Sequence, residues 1–231
     1  ESDRQPVSLE SGMDAQLGFA IRTWCAPILD LEPHVGAREY FERRTELGGE
    51  EVNRRFLQAS GISHYLIDTG YRGTEIHSAE GMAALSGRPA DRIVRLEATA
   101  ELVLQDGTTA ASFAEDFRAR LAIEARGAVG LKSIIAYRYG LDFDPAQPSA
   151  DEVAQAAARA IDVYERTGSV RIDDPVLLRD FLYAGMDTGL PIQFHVGYGD
   201  PDLALHRCDP LLMTDFIRIA EARNVPIMLL H

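Results

Sequence analysis

The chain has 231 residues, 46% of them hydrophobic, and a net charge of −13 from 23 Lys and Arg against 36 Asp and Glu. That apolar content can bury the core of one large or two small domains and excludes a disordered chain, while the acidic surplus opposes binding to nucleic acid or anionic lipid. No run approaches the roughly 20 uninterrupted apolar residues of a membrane-spanning helix, and ESDRQPVSLE (1–10) lacks the basic-then-apolar layout of a secretory signal, so no membrane partner and a cytoplasmic location are expected.

Residues 1–61 hold two helical stretches, GMDAQLGFAIRTWCAPILDLE and AREYFERRTELGGEEVNRRFLQASG, with no convincing strand between them. They are read as a helical preface or insertion of the domain that follows. From residue 62 to 231 the pattern changes to short Val-, Ile- and Leu-rich runs alternating with stretches of helical period, the layout of βαβ units around a parallel sheet. Five strands are predicted: HYLID (64–68), RIVRLE (92–97), AVGLKSII (128–135), PIQFHVG (191–197) and VPIMLLH (225–231). Their near-continuous apolar character suits strands covered on both faces.

The helices between them carry start and stop signals. Ser112 with Glu115 and Ser149 with Glu152 have capping-box spacing, and Gly127 and Gly168 follow as C-terminal caps. Asp174-Pro175 and Asp209-Pro210 each set a capping carboxylate before a proline at the first helical position. Phe113, Phe117 and Leu121 form one apolar helix face, and Leu212, Phe216 and Ile219 another. Five parallel strands leave two long edges, whereas a closed (β/α)₈ barrel needs eight, so either the sheet is open or strands are missing here. Cys25 and Cys208 are too far apart and too few for a disulfide framework and are read as free thiols.

In barrels and open α/β sheets alike, catalytic groups gather at the carboxyl ends of strands. His195 ends the fourth predicted strand and His231 the fifth, and neighbouring strands lie roughly 4.8 Å apart, so the two imidazoles can share one ion. The alternative is a pair of core histidines held by backbone carbonyls. Lys132 interrupts the apolar strand GLKSII, where burial would depress its pKa. A neutral amine there can react with carbon dioxide to give a carbamate that bridges two metals. The alternative is a lysine whose stem is buried while its head pairs with a carboxylate such as Glu97. Tyr137, Arg138 and Arg207 lie on loops of the same face and are candidates to bind a substrate carboxylate, with surface salt bridges or packing as the bland reading. Asp68 and Glu97, at strand ends, either face the site or cap the next helix. His34, His64, His77 and His206 are assigned ordinary surface or packing roles. No nucleophile elbow, phosphate-binding glycine loop or dinucleotide fingerprint is present in its structural context, and YGDPDLALH (198–206) lacks calcium-loop spacing.

GLKSIIAYRYGLDF (130–143) and LPIQFHVGYGDPDLALHRCDPLL (190–212), followed by NVPIMLLH (224–231), resemble the amidohydrolase superfamily. The closer resemblance is to its amidohydrolase-2 branch, especially the amidohydrolase-like domain found alone or fused to glutamine-synthetase-like domains. The resemblance implies a TIM-type (β/α)₈ barrel, incomplete here: about five βα units plus the N-terminal helical segment. It implies a first-strand HxH pair, histidines on the fifth and sixth strands matched by His195 and His231, a fourth-strand lysine matched by Lys132, and an eighth-strand aspartate. The chain has neither an HxH nor a strand carrying that aspartate. The implied activity is metal-dependent hydrolysis of an amide or related C–N bond in a small molecule, with one or two divalent ions, zinc first among them, and Lys132 in a catalytic or ligating role. Metal-dependent decarboxylation and a non-catalytic regulatory barrel are the competing readings, and homo-oligomerisation is left open.

Overall fold

The computed structural model of the chain describes residues 8–200 and 203–231; the first seven residues, read above for a leader, and Pro201 and Asp202, part of the loop searched for calcium spacing, lie outside that set. The described chain forms two compact units, one of residues 1–65 with 79–90 and one of residues 66–78 with 91–231.

The first unit is helical: α1 (Leu9–Met13), α2 (Gln16–Trp24), a 3₁₀ turn at Pro27–Leu29, α3 (Ala37–Leu47), α4 (Gly49–Ala59) and α5 (Ala79–Ser86). Each long helical stretch of the sequence is therefore broken, the first among α1, α2 and the 3₁₀ turn and the second into α3 and α4. The second breaks at Gly48, whose φ of 77° lies in the left-handed region that favours glycine. Met13, Ala26, Leu29, Tyr40 and Val52 form its buried core. Around it, Arg43 and Arg55 both reach Asp30, which ties α3 and α4 to the 3₁₀ turn.

The second unit carries the chemistry. In chain order it contains β1 (Tyr65–Asp68), β2 (Ala90–Arg95), α6 (Leu96–Asp106), α7 (Phe113–Glu124), β3 (Ala128–Ser133), α8 (Ile135–Arg138), α9 (Ala150–Thr167), α10 (Pro175–Asp187), β4 (Ile192–His195), 3₁₀ turns at Leu205–Arg207 and Pro210–Met213, α11 (Thr214–Ala222) and β5 (Ile227–Leu230). The first residue of β1 and of β2 belongs to the helical unit. The strands lie in the order β1-β2-β3-β4-β5 in a parallel sheet curled into a half-barrel. A doubly wound sheet reverses its strand order at a switch point; this one adds each strand on the same side, as a growing barrel does.

Register decides which residues share a face. Arg95 pairs with Lys132, Lys132 with Gln193 and Gln193 with Met228, while His195 stands opposite Leu230. In a parallel sheet, residues at one level point to one side and alternate along the strand. Val94, Leu131, Ile192 and Phe194 therefore point outward, into a core with Phe117 of α7, Phe181 and Leu182 of α10 and Phe216 of α11. Phe117 and Phe181 lie 4.5 Å apart, and Phe194 and Phe216 5.8 Å. The opposite, inner face carries Arg95, Lys132, Gln193 and His195. Gly185 lets α10 close on the outer face, because a Cβ there would stand 3.2–3.3 Å from Leu96, Leu131 and Ile192 side chains.

The strand ends differ from the sequence reading. Leu96 and Glu97, expected in β2, open α6, and Ile134 and Ile135, expected in β3, turn into α8. Glu97 explains the second: its Oε1 accepts hydrogen bonds from Ser133 Oγ at 2.6 Å and Ile134 N at 3.0 Å, fixing the backbone as β3 leaves the sheet. The Ser149–Glu152 capping box forms, and Asp174 caps α10 by accepting from Val176 N. Ser112 makes no cap bond, because its hydroxyl joins Thr108 and Thr109 instead. Asp209 caps a 3₁₀ turn rather than α11, which leaves Leu212 exposed, and Gly127 lies beyond the actual C-cap of α7, Ala125.

Candidate metal centre at the strand carboxyl ends

β4 and β5 end side by side, and the ring centroids of His195 and His231 lie 4.6 Å apart. Strand alternation alone would not aim His231 inward, since Leu230 already occupies the inner side opposite His195. The residue has a φ of 84°, outside the strand region, and this turn brings its ring to His195. His195 is 5% exposed, and its Nε2 is buried without a hydrogen-bond partner. Burial, then the nearby His231 and Lys132, hold its imidazole below the usual histidine range. A neutral ring with a free ring nitrogen is the form that ligates a metal.

Two neighbours shape the space around that nitrogen. Tyr137, on α8, sets its ring 4.5 Å from that of His195, and its hydroxyl accepts from Asp200 N at 3.3 Å. Gly199 lies over both; a Cβ there would stand 2.9 Å from His195 Nε2 and 2.3 Å from Tyr137 Oη. A buried donor nitrogen without a partner, beside a second imidazole and under a glycine, fits a bound cation. The set is nonetheless small. Among the described residues no group of three or more His, Cys, Asp or Glu is arranged to hold a metal ion.

Lys132 is not sealed in an apolar strand. It lies on the polar inner face with 19% of its side chain exposed, and its Nζ is 3.4 Å from Asp68 Oδ2. The lysine head is thus paired, as one of the two sequence readings had it, but with Asp68 rather than Glu97, which points outward to Ser133. Asp68 Oδ2 also accepts from Arg95 Nε at 3.0 Å and Nη2 at 2.5 Å, and Oδ1 accepts from Gly70 N at 2.8 Å. The ends of β1, β2 and β3 thus carry a charged triad on the inner face, beside the histidines of β4 and β5.

The remaining sequence candidates divide. Tyr137 is brought to His195. Arg138 pairs with Glu101 at 2.7 Å and is largely buried. Arg207 forks onto Asp142 at 2.7–3.0 Å and stacks 4.4 Å from the Tyr139 ring centroid, joining the loop after β4 to the segment after α8. Arg95 was not singled out from the sequence, although, like Lys132, it is a charge inside an apolar strand run.

No family model matches the chain. Over 169 residues it is 31% identical to the protein fluG of Emericella nidulans, a match covering 61% of this chain and 19% of that protein. Its fold is similar to a solved structure from Lactobacillus casei, described as a "putative metal-dependent hydrolase", with a TM-score of 0.77 and 26% identity over 99% of this chain and 59% of that one. The chain thus spans about a fifth of the curated relative and under two thirds of the solved structure.

Proposed function

We propose that the chain forms part of a metal-dependent hydrolase that cleaves an amide or related C–N bond of a small molecule, with His195 and His231 as ligands of a divalent ion, zinc in the first instance. The observation that carries this reading is the unpartnered, buried Nε2 of His195 beside the His231 ring, at adjacent strand ends. The similarity to the L. casei structure supports it, since that protein is described as metal-dependent and as a hydrolase.

A zinc ion bound there would polarise a substrate carbonyl and lower the pKa of its water to about 7. The chain's own residues do the rest. The Tyr137 ring, packed on His195, fixes the imidazole's direction. Gly199 leaves room over Nε2. Lys132, at the level of Gln193 and one alternation below His195, positions the substrate from the inner face. Arg138 and Arg207, held by Glu101 and Asp142, brace the surrounding segments. A catalytic zinc site takes three protein ligands, so this reading requires a donor beyond the two imidazoles. The same shortfall favours, as second reading, a barrel module that binds without catalysing.

Zinc titration followed by histidine ¹H–¹⁵N NMR separates these. Hydrolase chemistry requires the ring signals of His195 and His231 to move together while His34, His64, His77 and His206 stay in place. Identical shifts in a His195→Ala variant, or no shift at all, contradict the site; zinc binding without turnover of any amide by the complete protein favours the second reading.

A further inference from the structure

We propose that Arg95 and Lys132 form a binding subsite for a carboxylate of the substrate, deepening the hydrolase reading on which the word substrate rests. Both cations are on the inner face at paired register positions, two residues below the level of His195. One carboxylate, Asp68, serves both, which leaves the triad with one positive charge. The single negative charge of Asp68 is shared between them: Oδ2 takes Arg95 and Lys132, and Oδ1 takes the neutral Gly70 amide. Of the other carboxylates near these strand ends, Glu97 is turned to the outer side by Ser133, and Glu101, which lines the same cavity as Arg95, pairs with Arg138 at 2.7 Å.

The donors that remain are directed for use. Arg95 spends Nε and Nη2 on Asp68, leaving Nη1, and Lys132 spends one of three ammonium protons at a long 3.4 Å. The side chains are 13% and 19% exposed, so both are mostly packed yet neither is sealed from solvent. Gly70 is part of the construction, since a Cβ there would meet the Arg95 Cβ at 2.6 Å. By contrast, the fork of Arg207 is filled by Asp142 and Arg138 is held by Glu101. A monoanion matches the residual charge, and a carboxylate presents one oxygen to each free donor. Placed there, it sets the rest of a short substrate toward the two histidines.

The test uses N-acetylglycine, which joins an amide to a carboxylate, and its neutral counterpart N-acetylglycinamide, with binding measured by ligand-observed NMR on the chain in the presence of a chelator. Because no metal is involved, the result is independent of whether His195 and His231 bind zinc. The acid should bind about tenfold more tightly than the amide, the worth of one charge-assisted hydrogen bond. Lys132→Gln should reduce that preference to about threefold or less, as should Arg95→Gln. Asp68→Asn is the decisive variant: removing the internal competitor should raise the preference, whereas a triad that only holds the strand ends together would lose stability and gain no affinity. Should Arg95→Gln fail to fold, Lys132→Gln and Asp68→Asn still decide the matter. Equal binding of acid and amide by the unmodified chain overturns the proposal, as does displacement of N-acetylglycine by inorganic phosphate at lower concentrations than by acetate.

Discussion

The two faces of the sheet are built on different principles. Outward, Val94, Leu131, Ile192 and Phe194 enter a close-packed apolar layer against α7, α10 and α11. Each such side chain, fully buried, contributes about 1.5–3 kcal/mol by leaving water. Inward, residues one position away in the same strands are Arg95 and Lys132, held by ion pairs, Gln193, which donates to Met228 Sδ, and His195, held by ring contacts. The outer face makes the fold, and the inner face spends none of its side chains on the helix-facing core. Strands of a single sequence therefore carry stability and chemistry at alternating positions, and changes at one parity should leave the other's property largely intact.

The largest effect expected is on the outer side. Phe194→Ala should cost about 3–5 kcal/mol, the usual range for a buried Phe truncation, because the ring fills the space against Phe216. Chemical denaturation would measure it. A loss below about 1 kcal/mol would mean that the outer layer does not organise the fold as described.

Glu97 sharpens the comparison, being a titratable group on the apolar side. Burial raises its pKa above the usual carboxylate range, against the lowering effects of Ser133, the local backbone amides and Arg138, and its Oε2 has no partner. A carboxyl whose folded pKa is raised lends stability that is complete below its unfolded pKa, about 4.3, and is lost as pH rises through the folded value. Glu97→Gln keeps the acceptor for Ser133 and Ile134 but has no proton to lose. Its stability relative to the unmodified protein should therefore climb between pH 4.3 and the folded pKa, by at most about 1.4 kcal/mol per pH unit, and then level off. A pH-independent difference between the two in urea melts would sink this assignment.

The smallest structural disturbance tests the inner face. Gly199→Ala puts a methyl group against Tyr137 Oη and His195 Nε2 in a surface loop. Stability should change by less than about 1 kcal/mol, whereas zinc affinity should fall several-fold in calorimetric titration. Unchanged affinity would show that Nε2 is not the coordinating atom.

The comparison also explains what could be read from sequence. The outer face was legible because burial needs only apolar residues in short runs, and those runs located the five strands of the described residues. Their ends were not, since Leu96 and Ile134–Ile135 continue the apolar pattern into helices, and at β3 only the Glu97 hydrogen bonds show where the backbone turns. His195 and His231 were visible as the last residues of strand runs. The direction of His231 was not, because it depends on a positive φ at that residue. Asp68, Arg95 and Lys132 come from three strands, and no spacing shows that they meet; the β2–β3 register pairs Arg95 with Lys132, and the ion pairs bring in Asp68. Arg138 and Arg207 looked available in sequence because Glu101 and Asp142, which occupy them, become neighbours only in the fold.

The central claim is that His195 and His231 share one cation. X-ray absorption at the zinc edge of the zinc-loaded chain addresses it directly. The account predicts two imidazole nitrogens at about 2.0–2.1 Å from the metal, with one lost in each of His195→Ala and His231→Ala. A shell of oxygen alone, or a spectrum that neither substitution alters, would contradict it.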